Sequence, residues 1–164
     1  MAPKRLAVCV LASAALAASG CGSSKSSSND NSVSGTTASA NRLTRSELIA
    51  KGDAICARVN QRVFSNPART TADLVRLTPR LSEYELAAAR EMEKLNPPTS
   101  LLSDWQQIVA ASKTLAEHTG ELGEQVAKKN TVAARATLST DATLQSELFA
   151  IAKRDGFKVC SRPG

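Results

Sequence analysis

Residues 96–129 decide the fold of this chain and read NPPTSLLSDWQQIVAASKTLAEHTGELGEQVAKK. The Pro97-Pro98 pair ends any helix before it, because proline cannot continue an α-helix and biases the preceding residue toward extended backbone. Apolar or small side chains then recur every three or four residues, at Leu101, Trp105, Ile108, Ser112, Leu115, Thr119, Leu122 and Val126. This spacing predicts one long amphipathic helix that begins at Thr99 or Ser100 and ends near Lys129.

The segment before the proline pair predicts a second helix, opening at Thr70 or Thr71. Its apolar stripe comprises Leu74, Leu77, Leu81, Tyr84, Ala88, Met92 and Leu95. Pro79 interrupts this stripe. The sequence therefore predicts either a helix broken or kinked near Pro79, or a short turn followed by a main helix with Thr78 as its cap.

The segment after the long helix predicts another, starting at Asn130 or Thr131. Its stripe is less regular and comprises Val132, Ala136, Leu138, Leu144, Leu148, Ile151 and Ala152. Asp155-Gly156 reads as its end, because glycine readily adopts the left-handed conformation of a helix C-cap.

The most N-terminal helix has the clearest start signal. Thr44 and Glu47 have the spacing of a capping box, and Leu43 and Leu48 flank it as a hydrophobic staple. The stripe continues through Ile49, Gly52, Cys56, Val59 and Val63, and Asn66-Pro67 ends the helix. Four such helices with short connections predict an all-α, up-down four-helix bundle over residues 43–164.

Composition excludes several classes of functional site. The 164-residue chain has a formal net charge of +6, 3% aromatic residues and one His. A single His rules out His-rich metal sites, and so few aromatic rings disfavour an aromatic cage or a base-stacking platform. No CxxCH haem motif or GxSxG nucleophile motif is present. We therefore expect no enzymatic activity, no cofactor, no metal and no nucleic-acid partner.

The helices carry few candidates for chemistry. His118 and Glu121 share a face, but half of a metal-binding pattern without a second half reads as a solvated, ion-paired surface. Trp105 reads as a core residue. The helix before the proline pair carries scattered acidic residues, and none forms an evident acid–base pair: Glu83, Glu85, Glu91 and Glu93.

The first 42 residues predict a targeting signal and a flexible tether. Lys4 and Arg5 precede a thirteen-residue apolar run at 6–18, which is too short to span a bilayer and is typical of a signal peptide. The following Ala18-Ser19-Gly20-Cys21 resembles the lipobox of bacterial lipoproteins, with Ala18 where Leu is commonest. The resemblance implies that residues 1–20 are removed and that Cys21 carries diacylglycerol. The alternatives are ordinary cleavage near Ala17 or Ala18, or no cleavage.

Residues 22–41 are rich in Ser and contain one sizeable apolar side chain, so they predict a flexible linker. Residues 21–42 then form a lipidated, disordered tether. The remaining cysteines outside the signal, Cys56 and Cys160, form an even pair in an oxidising compartment. A disulfide from the first helix to the C-terminal tail is the simplest assignment, and a redox or metal-binding thiol pair is the alternative.

Basic charge is concentrated next to the tether. Residues 42–80 hold eight Lys/Arg and three Asp/Glu, whereas residues 81–129 hold five and eight. Lys51, Arg58 and Arg62 fall on one helical stripe. This stripe predicts contact with anionic lipid headgroups or a phosphate-bearing polymer, with a solvated face as the plainer interpretation.

The layout as a whole resembles small lipoproteins of actinobacterial type. The matching pieces are Cys21 with its Ser-rich tether, residues 53–56, 95–98 and 104–105, and residues 156–160. These mark a lipid site, helix boundaries and a cysteine pair, so no catalytic residue is carried over. We expect a non-enzymatic protein, lipid-anchored on the extracytoplasmic face, that interacts with an envelope protein or polymer. The alternative is a small-molecule-binding lipoprotein that feeds a transporter or signalling system.

Overall fold

The computed structural model describes residues 41–65 and 67–162, which contain helices and no strand. The helices are α1 (Arg45–Ser65), α2 (Thr71–Glu93), α3 (Leu102–Ala127) and α4 (Thr131–Asp155), with a 3-10 turn at Thr99–Leu101. The all-α prediction is confirmed. The predicted signal peptide, Cys21, the tether to residue 40 and the stop at Asn66 lie outside the described residues.

Side-chain caps begin α1, α2 and α4 where the sequence indicates, whereas α3 follows the 3-10 turn without one. The Thr44 N–H donates to Glu47 Oε2 (2.8 Å), and the Glu47 N–H donates to Thr44 Oγ1 (3.3 Å), which is the predicted capping box. Thr70 and Asn130 cap α2 and α4 in the same way. Gly156 ends α4 with φ at 93°, a left-handed conformation that a side chain would strain. The capping residues predicted for these helix ends therefore make the expected capping contacts.

The packing of α2 on α3 is antiparallel. Trp105, near the start of α3, donates its Nε1–H to the carbonyl of Met92, near the end of α2 (3.2 Å). Farther along, Ser82 Oγ donates to the Ala116 carbonyl (2.6 Å). Residue numbers thus fall along α2 as they rise along α3. These two helices share the most extensive contact in the bundle.

Two glycines of α3 allow that close contact. A Cβ at Gly123 would collide with the Thr78 hydroxyl, and a Cβ at Gly120 would lie 3.1 Å from Ser82 Oγ. These positions cost helix propensity, about 1 kcal/mol each relative to Ala. In return they let polar side chains of α2 seat against the backbone of α3.

The remaining helices complete the up-down order. Asp104 at the start of α3 pairs with Arg154 at the end of α4 (2.7 Å). At the opposite end, Gln125 of α3 and Thr137 of α4 exchange hydrogen bonds at 3.1 Å. The helices α3 and α4 are therefore antiparallel as well.

Pro79 lies inside a continuous α2. Of the two predicted arrangements, the structure has one helix from Thr71 to Glu93 instead of a turn followed by a helix capped by Thr78. Pro79 has no N–H to donate to the carbonyl of Val75, one turn earlier. The hydroxyl of Thr78, the residue before the proline, donates to a different carbonyl, that of Leu74 (3.0 Å).

The apolar core sits at the end of the bundle where the chain enters and leaves. It is formed chiefly by Leu48, Ile55, Met92, Leu101, Trp105, Ile108, Val109, Ala152, Phe157 and Cys160. Trp105 stacks on Phe157 with ring centroids 5.6 Å apart, which confirms that Trp105 is a core residue. Gly52 of α1 lies against both rings, where a Cβ would be 2.8 Å from Phe157.

Three predicted core positions of α4 are wrong, and one of them is Ala136, which is exposed. Val132 is 79% exposed and Leu138 is 52% exposed. The buried side of this part of α4 consists instead of Ala134 and Thr137, because Thr137 bonds to Gln125 of α3. The irregular apolar spacing of this segment concealed a contact that is partly polar.

The C-terminal tail returns to α1 and is fixed there twice. Cys56 and Cys160 form the predicted disulfide, with their Cα atoms 5.4 Å apart. Asp53 accepts hydrogen bonds from the N–H groups of Lys158, Val159 and Cys160 at 2.8, 2.9 and 3.0 Å. The tail therefore forms part of the bundle wall.

Candidate functional site

The second half of α1 packs loosely on the bundle and leaves a cleft of about 280 Å³. The buried residues of α1 are Leu48, Gly52 and Ile55, all in its first half. Beyond them, α1 forms one wall of the cleft, and α2, α3, α4 and the disulfide-bonded tail form the others. Most of the lining is apolar and includes Val59, Val63, Phe64, Met92, Leu115 and Leu148.

Glu85 of α2 lies in the wall of this cleft. Burial raises the pKa of its carboxyl to about 7; the nearby Asp141 charge also raises it, while a hydrogen bond from Thr119 lowers it. One carboxyl oxygen, Oε2, is buried and has no hydrogen-bond partner among the described residues. An unpartnered oxygen of this kind costs free energy unless a proton or an external donor reaches it.

Asp141 of α4 brings a second carboxylate to the cleft. Its Oδ1 lies 2.5 Å from Nδ1 of His118 on α3, a bond in which the ring nitrogen donates to the carboxylate. The two side chains are only 23% and 14% exposed. The prediction of a solvated face at His118 is therefore wrong, because its hydrogen bond to Asp141 lies in the α3–α4 contact instead of in solvent.

The sequence carries a signal for this site that residue-type motifs miss. Glu85 follows Leu81 by four residues and precedes Met92 by seven, so it occupies the apolar stripe of α2. On α4, Asp141 precedes Leu144 by three residues and Leu148 by seven, so it too falls on the predicted apolar stripe. A carboxylate on an apolar stripe is the observation that could have identified both residues.

A second cleft, of about 310 Å³, differs in its polar groups. It lies beside Trp105 and Leu95 at the other side of the α2–α3 contact. Its charged residues, Glu93 and Lys113, pair with each other at 2.7 Å. Because Glu93 and Lys113 pair with each other, neither charge of this second cleft lacks a partner.

The basic stripe of α1 is partly engaged within the bundle. Arg58 pairs with Glu91 of α2 (2.6 Å), and the Arg62 guanidinium lies 5.7 Å from the centre of the Tyr84 ring. Lys51 is exposed. Contact of these three residues with an anionic surface stays a prediction, and it would compete with the partners that Arg58 and Arg62 already have.

The described residues provide no cluster of metal ligands. No group of three or more His, Cys, Asp or Glu side chains converges there as metal ligands would. Glu121 is exposed, whereas His118 points to Asp141. The cleft offers instead two carboxylates in an apolar setting, which favours a positive charge, and burial raises the pKa of Glu85 to about 7.

None of the helices among the described residues is long and apolar enough to cross a membrane. The chain matches no protein-family model, and searches of curated proteins and of solved structures find no similar protein.

Proposed function

We propose that this chain is a lipid-anchored, extracytoplasmic binding protein without enzymatic activity, whose helical domain takes up a small molecule. The observation that carries the binding role is the cleft, in which apolar walls surround a carboxyl oxygen without a partner. Small-molecule sites are usually concave and apolar, with a few polar groups that fix orientation. At about 280 Å³ the cleft lies near the lower limit of such sites, so its ligand is small.

The proposed localisation on the extracytoplasmic face of a membrane is supported by the sequence. A basic start, a short apolar run and Cys21 behind two small residues support lipidation, and the Ser-rich tether supports a domain held off a membrane. The disulfide agrees with an oxidising compartment. A binding protein at such an address would deliver its ligand to a transporter or a signalling protein.

Replacement of Cys21 by Ala is expected to release the protein from membranes, because it removes the thiol that carries the lipid. Fractionation of native cells, followed by immunodetection, measures this release. Cys9→Ala, within the apolar run, is the matched control and should remain in the membrane fraction. Membrane retention of the Cys21 variant would contradict the anchor.

Filling the cleft is expected to abolish small-molecule binding. Ala88 lines the cleft, whereas its neighbour Ala87 is exposed. Saturation-transfer NMR with benzylammonium, benzyl alcohol and benzoate should detect binding of at least one probe to the wild-type chain. Ala88→Phe should remove that signal and Ala87→Phe should keep it. No binding of any probe, or equal binding to both variants, would contradict a role for the cleft.

General acid–base catalysis is a second candidate, favoured by one observation: a carboxyl group with a pKa near neutrality lies in a cleft. Catalysis would require chemical conversion of a bound molecule as well as binding. Product formation from a probe, followed by NMR over hours, separates this candidate from the binding role.

A further inference from the structure

The charged side chains that line the cleft are two acidic residues and one basic residue. Glu85 on α2 and Asp141 on α4 are the acidic residues of the lining. His118 of α3 faces Asp141, and α1 contributes no charged side chain. Arg162 of the tail also lines the cleft but is exposed, and its Nε–H donates to the Lys158 carbonyl (2.7 Å). The cleft lining thus presents two partly buried carboxylates, and its one guanidinium belongs to an exposed residue.

We propose that the cleft binds a small organic cation, a protonated amine with an apolar body, whose ammonium group pairs with Glu85 and Asp141. This inference rests on the proposed binding role and names its ligand class. The ammonium would supply the hydrogen-bond donor that Glu85 Oε2 lacks, after a small rotation of the carboxyl group. The apolar body would lie against Val59, Val63 and Leu115.

The alternatives fit the same observations less well. A bare metal ion would need more ligands than two carboxylates, and the described residues provide no such cluster. An anion bound between Glu85 and Asp141 would face two carboxylates, and like charges repel. A neutral apolar molecule would leave Glu85 Oε2 without a partner, which costs free energy in a buried place.

Proton exchange gives this inference a measurable signature. The carboxyl of Glu85 has a pKa of about 7, so roughly half of it carries a proton at pH 7 in the empty cleft. A bound cation favours the ionised form and lowers that pKa. Binding should therefore release about half a proton at pH 7 and should strengthen as the pH rises from 5.5 to 8.

The experiment measures charge selectivity with probes of matched shape. Benzylammonium, benzyl alcohol and benzoate differ chiefly in charge, and so do cyclohexylmethylammonium, cyclohexylmethanol and cyclohexanecarboxylate. Titrations are followed by NMR of the full-length chain in a non-ionic detergent. At pH 8 each cation should bind at least about tenfold more tightly than its neutral partner, since a charge-assisted hydrogen bond exceeds a neutral one. Calorimetry in two buffers of different ionisation enthalpy measures the released proton.

Two variants on one helix assign the selectivity. Glu85→Gln keeps the shape of the side chain but removes its charge, so it should abolish the proton release and weaken the preference for cations, with Asp141 as the remaining carboxylate. Glu83→Gln removes a charge from the exposed side of α2 and should leave both unchanged. This pair separates the cleft carboxylate from the general field of the protein.

The outcomes distinguish the inference from the proposed function. If the three charge classes bind with similar affinity and Ala88→Phe abolishes the binding, the cleft is a ligand site but the cation assignment is wrong. If no probe binds, the proposed function itself is overturned. If cations are preferred equally by the wild type and by Glu85→Gln, Glu85 does not pair with the ligand and the inference fails.

Discussion

Replacement of both Cys56 and Cys160 by Ala is expected to lower the free energy of unfolding by about 4 kcal/mol. The bond joins residues 104 positions apart, so it removes much of the freedom of the unfolded chain. A loop of this length corresponds to about 4.7 kcal/mol in the chain-entropy model, and the observed loss should be slightly smaller. Urea denaturation followed by circular dichroism measures the difference.

A control separates the covalent bond from the hydrogen bonds beside it. Asp53→Asn keeps the disulfide but weakens the acceptor for the three N–H groups of the tail. This variant should lose about 1–2 kcal/mol, the usual cost of impaired hydrogen bonding. Peptide mapping without reductant should show Cys56 linked to Cys160. Free thiols at both positions, or a loss below about 1 kcal/mol in the double variant, would contradict a stabilising disulfide.

Replacement of Glu85 by Gln is expected to remove a pH dependence from stability. The pKa of Glu85 rises from 4.5 to about 7 on folding, so the folded state holds the proton more tightly. The stabilisation is complete below pH 4.5 and is lost as the pH rises to 7. The wild type should lose roughly 2–3 kcal/mol over this range from this group, whereas the Gln variant should not.

Urea denaturation at pH 4.5, 6 and 8 measures this effect as the difference between the two profiles. The variant should gain stability relative to the wild type as the pH rises. Glu83→Gln, whose carboxyl is exposed, should follow the wild-type profile. Parallel profiles for the wild type and Glu85→Gln would show that the Glu85 carboxyl is not destabilised by burial.

Local signals along the chain were sufficient for the helices. Thr44 with Glu47, Asn130 and Gly156 act through contacts with residues close in sequence, so spacing alone predicts them. The disulfide followed from the parity of the cysteines. Val132 and Leu138 were misplaced because an apolar residue on a helix does not have to face the core.

The cleft was harder to predict because it depends on how closely whole helices approach. The apolar residues Val59 and Val63 continue the stripe of α1, and no local pattern says that they line a gap instead of a closed core. The pKa of Glu85 becomes distinctive only when the neighbouring helices bury its carboxyl and bring Asp141 of α4 near it. Separation in sequence hides such pairs, although each carboxylate violates the apolar stripe of its own helix.

The junction between tether and bundle has a consequence for orientation. Two residues just before α1 bond to the turn between α2 and α3. The Asn41 carbonyl accepts a hydrogen bond from the Asn96 side chain (3.0 Å), and the Arg42 side chain donates to the Pro97 carbonyl (3.0 Å). The chain is thus held at the α2–α3 turn, and Val59 in the cleft wall lies about 22 Å farther along α1 at 1.5 Å per residue. On a lipid-anchored protein, the tether would therefore join the bundle beside the α2–α3 turn and not beside Val59.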